Sequence, residues 1–143
     1  MILKKISSFL ILVAGIVLLF AVGVTAQISS KTPIHQLRIY EIPKENREVF
    51  HERFRDHAVR IMKKYEFRIV AIWESENEQK VEFVYLLEWK DKQTMEESWK
   101  KFMADEEWKD IKKKSSEKHG TFVNQIQEKT LILKDYSPQK NLL

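Results

Sequence analysis

Cysteine is absent from the 143 residues, which removes disulfides, thiol nucleophiles and cysteine-ligated metals together. Lipoprotein processing, which needs a cysteine after the leader, goes with them. No nucleophile-elbow sequence is present, so a serine triad has no local signature. No internal repeat is evident. Acidic residues are missing from positions 1–26, which contain Lys4 and Lys5. Setting those two aside leaves 23 basic against 21 acidic residues, so the rest of the chain is only weakly positive. That excess is too small and too evenly mixed for a nucleic-acid-binding surface, and no nucleic-acid motif appears.

What is present is an ordinary globular composition, 43% hydrophobic and 32% charged, with a length suited to one domain. Residues 1–26 have the three parts of a secretory signal. Lys4 and Lys5 open it, an apolar run from Phe9 to Val22 follows, and Val24-Thr25-Ala26 suits a signal peptidase cutting before Gln27. The competing reading is a retained membrane anchor over residues 6–26, an uncharged stretch close to the length that spans a bilayer. The expectation is an exported protein, periplasmic or extracellular, with membrane contact only if the leader stays. Residues 27–33 form a flexible lead-in, residues 34–137 the domain, and residues 138–143 a polar tail.

The domain reads strand-helix-strand, then strand-helix-strand. Leu37 and Ile39 alternate with Gln36, Arg38 and Tyr40, the period of a half-buried strand that Pro43 ends. From Lys44 to Tyr65, Val49, Phe50, Phe54, Ala58, Ile61 and Met62 recur at three and four, an apolar helical stripe. Two apolar strands follow, Arg68 to Trp73 and Val81 to Trp89, joined through Glu74–Lys80. The second helix starts near Gln93 and carries Met95, Trp99 and Phe102. At Ala104 its phase shifts, predicting a kink or a fresh helix with Asp105 as N-cap. Gly120 is the expected αL stop. A last strand begins at Thr121, with a bulge near Gln127–Lys129 to reconcile its uneven alternation.

The predicted architecture is α+β: a ferredoxin-like β-α-β-β-α-β unit, with a four-stranded antiparallel sheet and both helices on one face. With Trp73 placed opposite Glu82, one face of the hairpin carries Ile69, Ala71, Trp73, Val84 and Leu86. The other carries Val70, Ile72, Phe83, Tyr85, Leu87 and Trp89. Both are apolar, and the chain has helices for one only. A contiguous apolar face requires a cover, so the expected partner is a second copy packed sheet to sheet, through Val70, Ile72, Phe83 and Tyr85 or through the opposite set.

Several stretches resemble the NIPSNAP family of the dimeric α+β barrel superfamily. They are His35-Gln36-Leu37-Arg38-Ile39-Tyr40, Phe54 to His57, Lys64 through Trp73, Val84-Tyr85-Leu86-Leu87-Glu88-Trp89, and Ala104-Asp105-Glu106-Glu107-Trp108. Glu66 and Ala71 stand where many relatives have glycine, and Glu106 where the family's Asp-Pro-Glu-Trp has proline. The resemblance implies the fold and a dimer. It implies no agreed reaction, and the superfamily's oxygenases and haem-degrading enzymes have no residue set that transfers here.

Metal binding finds little support in the histidines. His51 and His57 are six apart on a helix, about 120° from a shared face, and His119 suits a helix C-terminus. Trp73, Trp89, Trp99 and Trp108 all fall at core-compatible positions, and the lysines of 112–118 read as a solvated helix end. No cofactor is called for. A pocket, if present, lies between sheet and helices or within the dimer, with His35, Arg38, Tyr40, Trp73 and Tyr85 on the strands that would line it. Two functions are carried forward: a small-ligand-binding or assembly module taking an apolar or aromatic molecule, and a cofactor-light monooxygenase acting on an aromatic substrate. The leader itself is directly testable. Intact-mass measurement of exported protein is expected to find residues 1–26 gone, and their retention would convert the signal into an anchor.

Overall fold

A computed structural model describes residues 33–78, 80–139 and 142. The expected leader of residues 1–26, and all of 27–33 but Pro33, lie outside the described residues. Among those described, no helix is long and apolar enough to cross a membrane.

The elements are β1 (Ile34–Ile42), α1 (Arg47–Arg53), a π-helical segment (Phe54–Ala58), α2 (Val59–Lys64), β2 (Arg68–Glu76), β3 (Val81–Trp89), α3 (Lys92–Ala104), α4 (Glu106–His119) and β4 (Gln125–Leu131). A 3₁₀ turn at Lys44–Asn46 leads into α1. The junctions around the π segment keep helical dihedrals, so α1 through α2 is one continuous rod. The four strands form one antiparallel sheet in the order β2-β3-β1-β4.

β1 and β3 pair without a register shift from Ile34 opposite Trp89 to Ile42 opposite Val81. Side chains alternate along a strand, and cross-strand partners share a face. One face therefore carries Gln36, Arg38, Tyr40 and Ile42 of β1 with Val81, Phe83, Tyr85, Leu87 and Trp89 of β3. All five of these β3 residues are buried. The helical stripe supplies the opposing layer: Phe50 and Phe54 meet Phe83 at centroid distances of 5.0 and 4.6 Å. Phe67 meets Trp89 at 4.8 Å and Phe102 at 5.3 Å.

The hairpin departs from expectation in register. Trp73 stands opposite Val84, not Glu82, because β2 runs on to Glu76 and the connection is correspondingly shorter. A bulge between Ile69 and Ala71 turns Ile69 to the helix side with Leu87, leaving Ala71, Trp73, Val84 and Leu86 on the open face. Phe83 and Tyr85 lie under the helices, so the set open to a second copy is the opposite one. Trp73 is 52% exposed and is not a core residue.

The second helical region is two helices. Asp105 ends α3 and caps α4, its carboxylate accepting from the Trp108 amide at 2.8 Å. Gly120 does terminate α4 with positive φ, but at ψ −139° it is not αL. β4 begins at Gln125 and pairs with β1 from Glu41 to His35 without a bulge. Residues 121–124 are irregular instead, fastened by the buried Asn46, whose amide donates to the carbonyls of His119 and Thr121 at 2.9 and 2.7 Å. Glu66 adopts φ +61° in the turn before β2, a left-handed conformation that costs a side-chain-bearing residue about 1 kcal/mol.

Asp105 joins three elements, since it also accepts from the Tyr65 hydroxyl at 2.7 Å. That bond, the Trp108 amide and Lys64 hold its carboxyl below the usual aspartate value. A lowered folded-state value means that the stabilisation is full above the ordinary aspartate pKa and is lost as pH falls through the folded one. Asp105→Ala is expected to cost about 1–2 kcal/mol at neutral pH through the lost cap. In urea melts the gap should narrow below about pH 4. An equal gap in acid would disprove the charge-dependent part.

Candidate functional site

Strand alternation brings Arg38 and Tyr40 to the helix side of β1, and pairing sets Tyr85 opposite Arg38. The hydroxyls of Tyr40 and Tyr85 are hydrogen-bonded at 2.9 Å, and Arg38 Nη2 donates to Tyr40 Oη at 3.0 Å. Arg38 Nη1 pairs with Glu128, its neighbour across β4, and its guanidinium lies 4.6 Å from the Trp99 ring centroid. Burial works to lower the Arg38 pKa, but Tyr40, Tyr85 and Glu128 outweigh it and hold the value above its ordinary level. Burial, reinforced by Tyr40, pushes the Tyr85 phenol well up. Tyr85 therefore remains a neutral phenol, able to donate or accept.

Deeper in the same layer, Gln36 is 1% exposed, and its Oε1 accepts from the indole N–H groups of Trp99 at 2.7 Å and Trp89 at 3.1 Å. A buried indole N–H needs such an acceptor. One amide thus ties α3 to both central strands and fixes the plane of Trp99.

Beside this wall lies a cavity of about 270 Å³ between sheet, helical rod and α3–α4. Phe50, Phe54, Met62, Trp99, Phe102 and Trp108 make it apolar and aromatic, with Arg38, Tyr40, Arg53 and Lys112 as its polar lining. Phe54 and Ala58, the ends of the π segment, both border it; single π turns inside helices recur at functional sites. No carboxylate of the described residues lines it.

Of the five residues expected to line a pocket, Arg38, Tyr40 and Tyr85 come together, the first two on the cavity wall and Tyr85 behind them. His35 and Trp73 belong to the open face and share no cavity with the others. His35 is buried, its Nε2 3.4 Å from Glu88, in a hollow bordered by Leu86 and the segment Leu131–Pro138. His51 is engaged with Glu74 at 2.7 Å, in a cluster with Arg47 that fastens α1 to β2. Among the described residues no group of three histidine or carboxylate side chains is placed to hold a metal.

Arg53, Trp99, Trp108 and Lys112 were not singled out by sequence reasoning as pocket residues. A signal existed for the two cations: Arg53 is three residues after Phe50, and Lys112 four after Trp108. Each therefore flanks the apolar stripe of its helix rather than opposing it.

Comparison with known proteins bears on the whole domain. The NIPSNAP family model matches residues 35–138. An uncharacterized NIPSNAP-like domain protein from Burkholderia xenovorans is similar at 18% identity and a TM-score of 0.63, over 75% of this chain and 90% of that one. A NIPSNAP family protein from Agrobacterium tumefaciens is similar at 15% identity and a TM-score of 0.65, over 76% and 91%. A second from that organism, of unknown function, matches at 18% and 0.64, over 75% and 93%. No curated protein matches the chain.

Proposed function

The chain belongs to the NIPSNAP family, and we propose that its domain is an exported, dimeric module binding a small molecule with an apolar or aromatic body in the cavity between sheet and helices. The cavity carries this reading: nine apolar and aromatic side chains line a volume near the lower end for small-molecule sites, with few polar groups to orient a guest. The monooxygenase reading has less beneath it. A base is needed to ionise an aromatic substrate, and the buried Tyr85, its phenol pushed well up, offers a neutral hydroxyl instead. Export rests on the leader sequence alone.

The strand order suits a ferredoxin-like unit in which two sheets face each other. The open face supports that assembly. Leu37, Ile39, Ala71, Val84 and Leu86 adjoin across β1, β3 and β2 with Trp73 beside them, and no helix of the described residues lies over them. The occupant of lowest cost is the same face of a second copy, since an isologous contact needs one surface only.

Two measurements test the module. Isothermal titration with tryptophol and octan-1-ol is expected to give saturable binding, weakened at least about tenfold by Met103→Trp, which fills the half-exposed rim of the cavity. The same affinity in the variant would sink the binding claim. Light scattering is expected to return a dimer mass, falling to a monomer when Val84→Lys and Leu86→Lys are combined without loss of the far-ultraviolet signal. A monomeric parent chain would remove the assembly claim and leave the cavity untouched.

A further inference from the structure

The cavity of about 270 Å³ holds an imbalance of charge that its apolar lining does not explain. Arg53 and Lys112 both border it, one from α1 and one from α4. The Arg53 guanidinium is 5.7 Å from the centroid of the Trp108 ring and the Lys112 ammonium 5.8 Å. Two cations thus address the same indole. Neither makes a hydrogen bond or an ion pair among the described residues, and both stand over aromatic faces: Arg53 over Phe122 at 3.7 Å and Phe50 at 5.9 Å, and both over Trp108. The other five arginines are each paired with a carboxylate: Arg38 with Glu128, Arg47 with Glu74, Arg55 with Asp56, Arg60 with Glu107 and Arg68 with Glu88.

Burial lowers Arg53 to about 10, and burial, Arg53 and Lys109 lower Lys112. Two like charges, half-withdrawn from water and without a carboxylate between them, cost free energy twice, by desolvation and by repulsion. A cation–π contact offsets a part of this, about 0.5–2 kcal/mol per pair. It leaves the N–H donors of the guanidinium and ammonium unclaimed. A bound anion would claim them and cancel the repulsion. The third cation on the wall, Arg38, is already committed to Glu128 and Tyr40, although its Nε is buried without a partner.

We propose that the guest of this cavity is a small amphiphilic carboxylate, its head held between Arg53 and Lys112 and its aromatic or aliphatic body laid against Trp108, Phe54 and Met62. The inference rests on the cavity being a binding site and adds the charge of its ligand. The paired donors of a guanidinium match a carboxylate bidentately, and the ammonium adds a point charge at the rim.

The test uses the full chain and two matched pairs of probes, indole-3-acetate with tryptophol and octanoate with octan-1-ol, each pair having similar bodies and one charged head. Within at least one pair the carboxylate is expected to bind about tenfold or more tighter than the alcohol, as charge-assisted hydrogen bonds require. Arg53→Met is expected to close that gap, read as the ratio of the two affinities within a pair. Lys112→Met, at a half-exposed position that tolerates replacement, is expected to narrow it about threefold. Alcohols that bind as tightly as their carboxylates would overturn the anionic ligand and leave the apolar cavity standing. A carboxylate preference surviving in both variants would overturn the assignment to Arg53 and Lys112. Absence of binding by all four probes would overturn the cavity reading and this inference with it.

Discussion

The pairing of β1 with β3 is the constraint on which the remaining structure depends. Its register runs unbroken from Ile34–Trp89 to Ile42–Val81, and with a side-chain period of two a slip of β3 by one residue against β1 would exchange the faces of β3. Phe83, Tyr85, Leu87 and Trp89 would then face away from the helices, and Glu82 and Glu88 would point beneath them. The core aromatics make that slip prohibitive. Each buried aromatic contributes area and ring contacts that only this register assembles, at 4.6–5.6 Å between Phe54, Phe83 and Tyr85.

The same register places polar groups on the buried side, and they set where the core stops being solid. Gln36, Arg38 and Tyr40 occupy consecutive inward positions of β1, where a purely structural strand would carry aliphatic residues. Gln36 is consumed by two indoles, and Tyr40 by Tyr85 and Arg38. Buried polar groups demand partners at fixed positions, so this row cannot close down on the helices as leucines would. The gap between the row and α3–α4 is the cavity. Its aromatic walls are held by the hydrogen bonds behind them.

Much of this was legible in the chain, and the failures have specific causes. The first helix could be read because its stripe from Val49 to Met62 persists for several turns, although its π segment left no trace in the pattern. The helix-facing row of β3 could be read because its alternation is strict. Ile69 was assigned to the wrong face because a bulge inserts one residue without any glycine or proline to mark it. Phe122 was taken for a strand residue. It is buried by a loop that Asn46 fastens from 75 residues away, and no local pattern can announce so distant a bond. Of the site, the β1 and β3 contributions were visible by alternation. Those of α1 and α4 were hidden because Arg53 and Lys112 read as ordinary surface charge until the fold sets both beside Trp108.

The two faces of the sheet thus have different work. The helix side is filled except where charge and hydrogen-bonded polar groups hold a space open, and Arg53 and Lys112 border that space with no carboxylate of the described residues beside them. The other side has no covering helix among the described residues, and its apolar groups lie flush across three strands. Because Arg38–Tyr85 and Val84–Leu86 alternate along the same backbone segments, a change that bends β3 is transmitted to both faces. Packing against a second sheet would stiffen the strand that carries Tyr85 and, through its hydroxyl, the position of Tyr40 and Arg38. Assembly on one side and preorganisation of the cavity on the other are then linked through a single rigid strand.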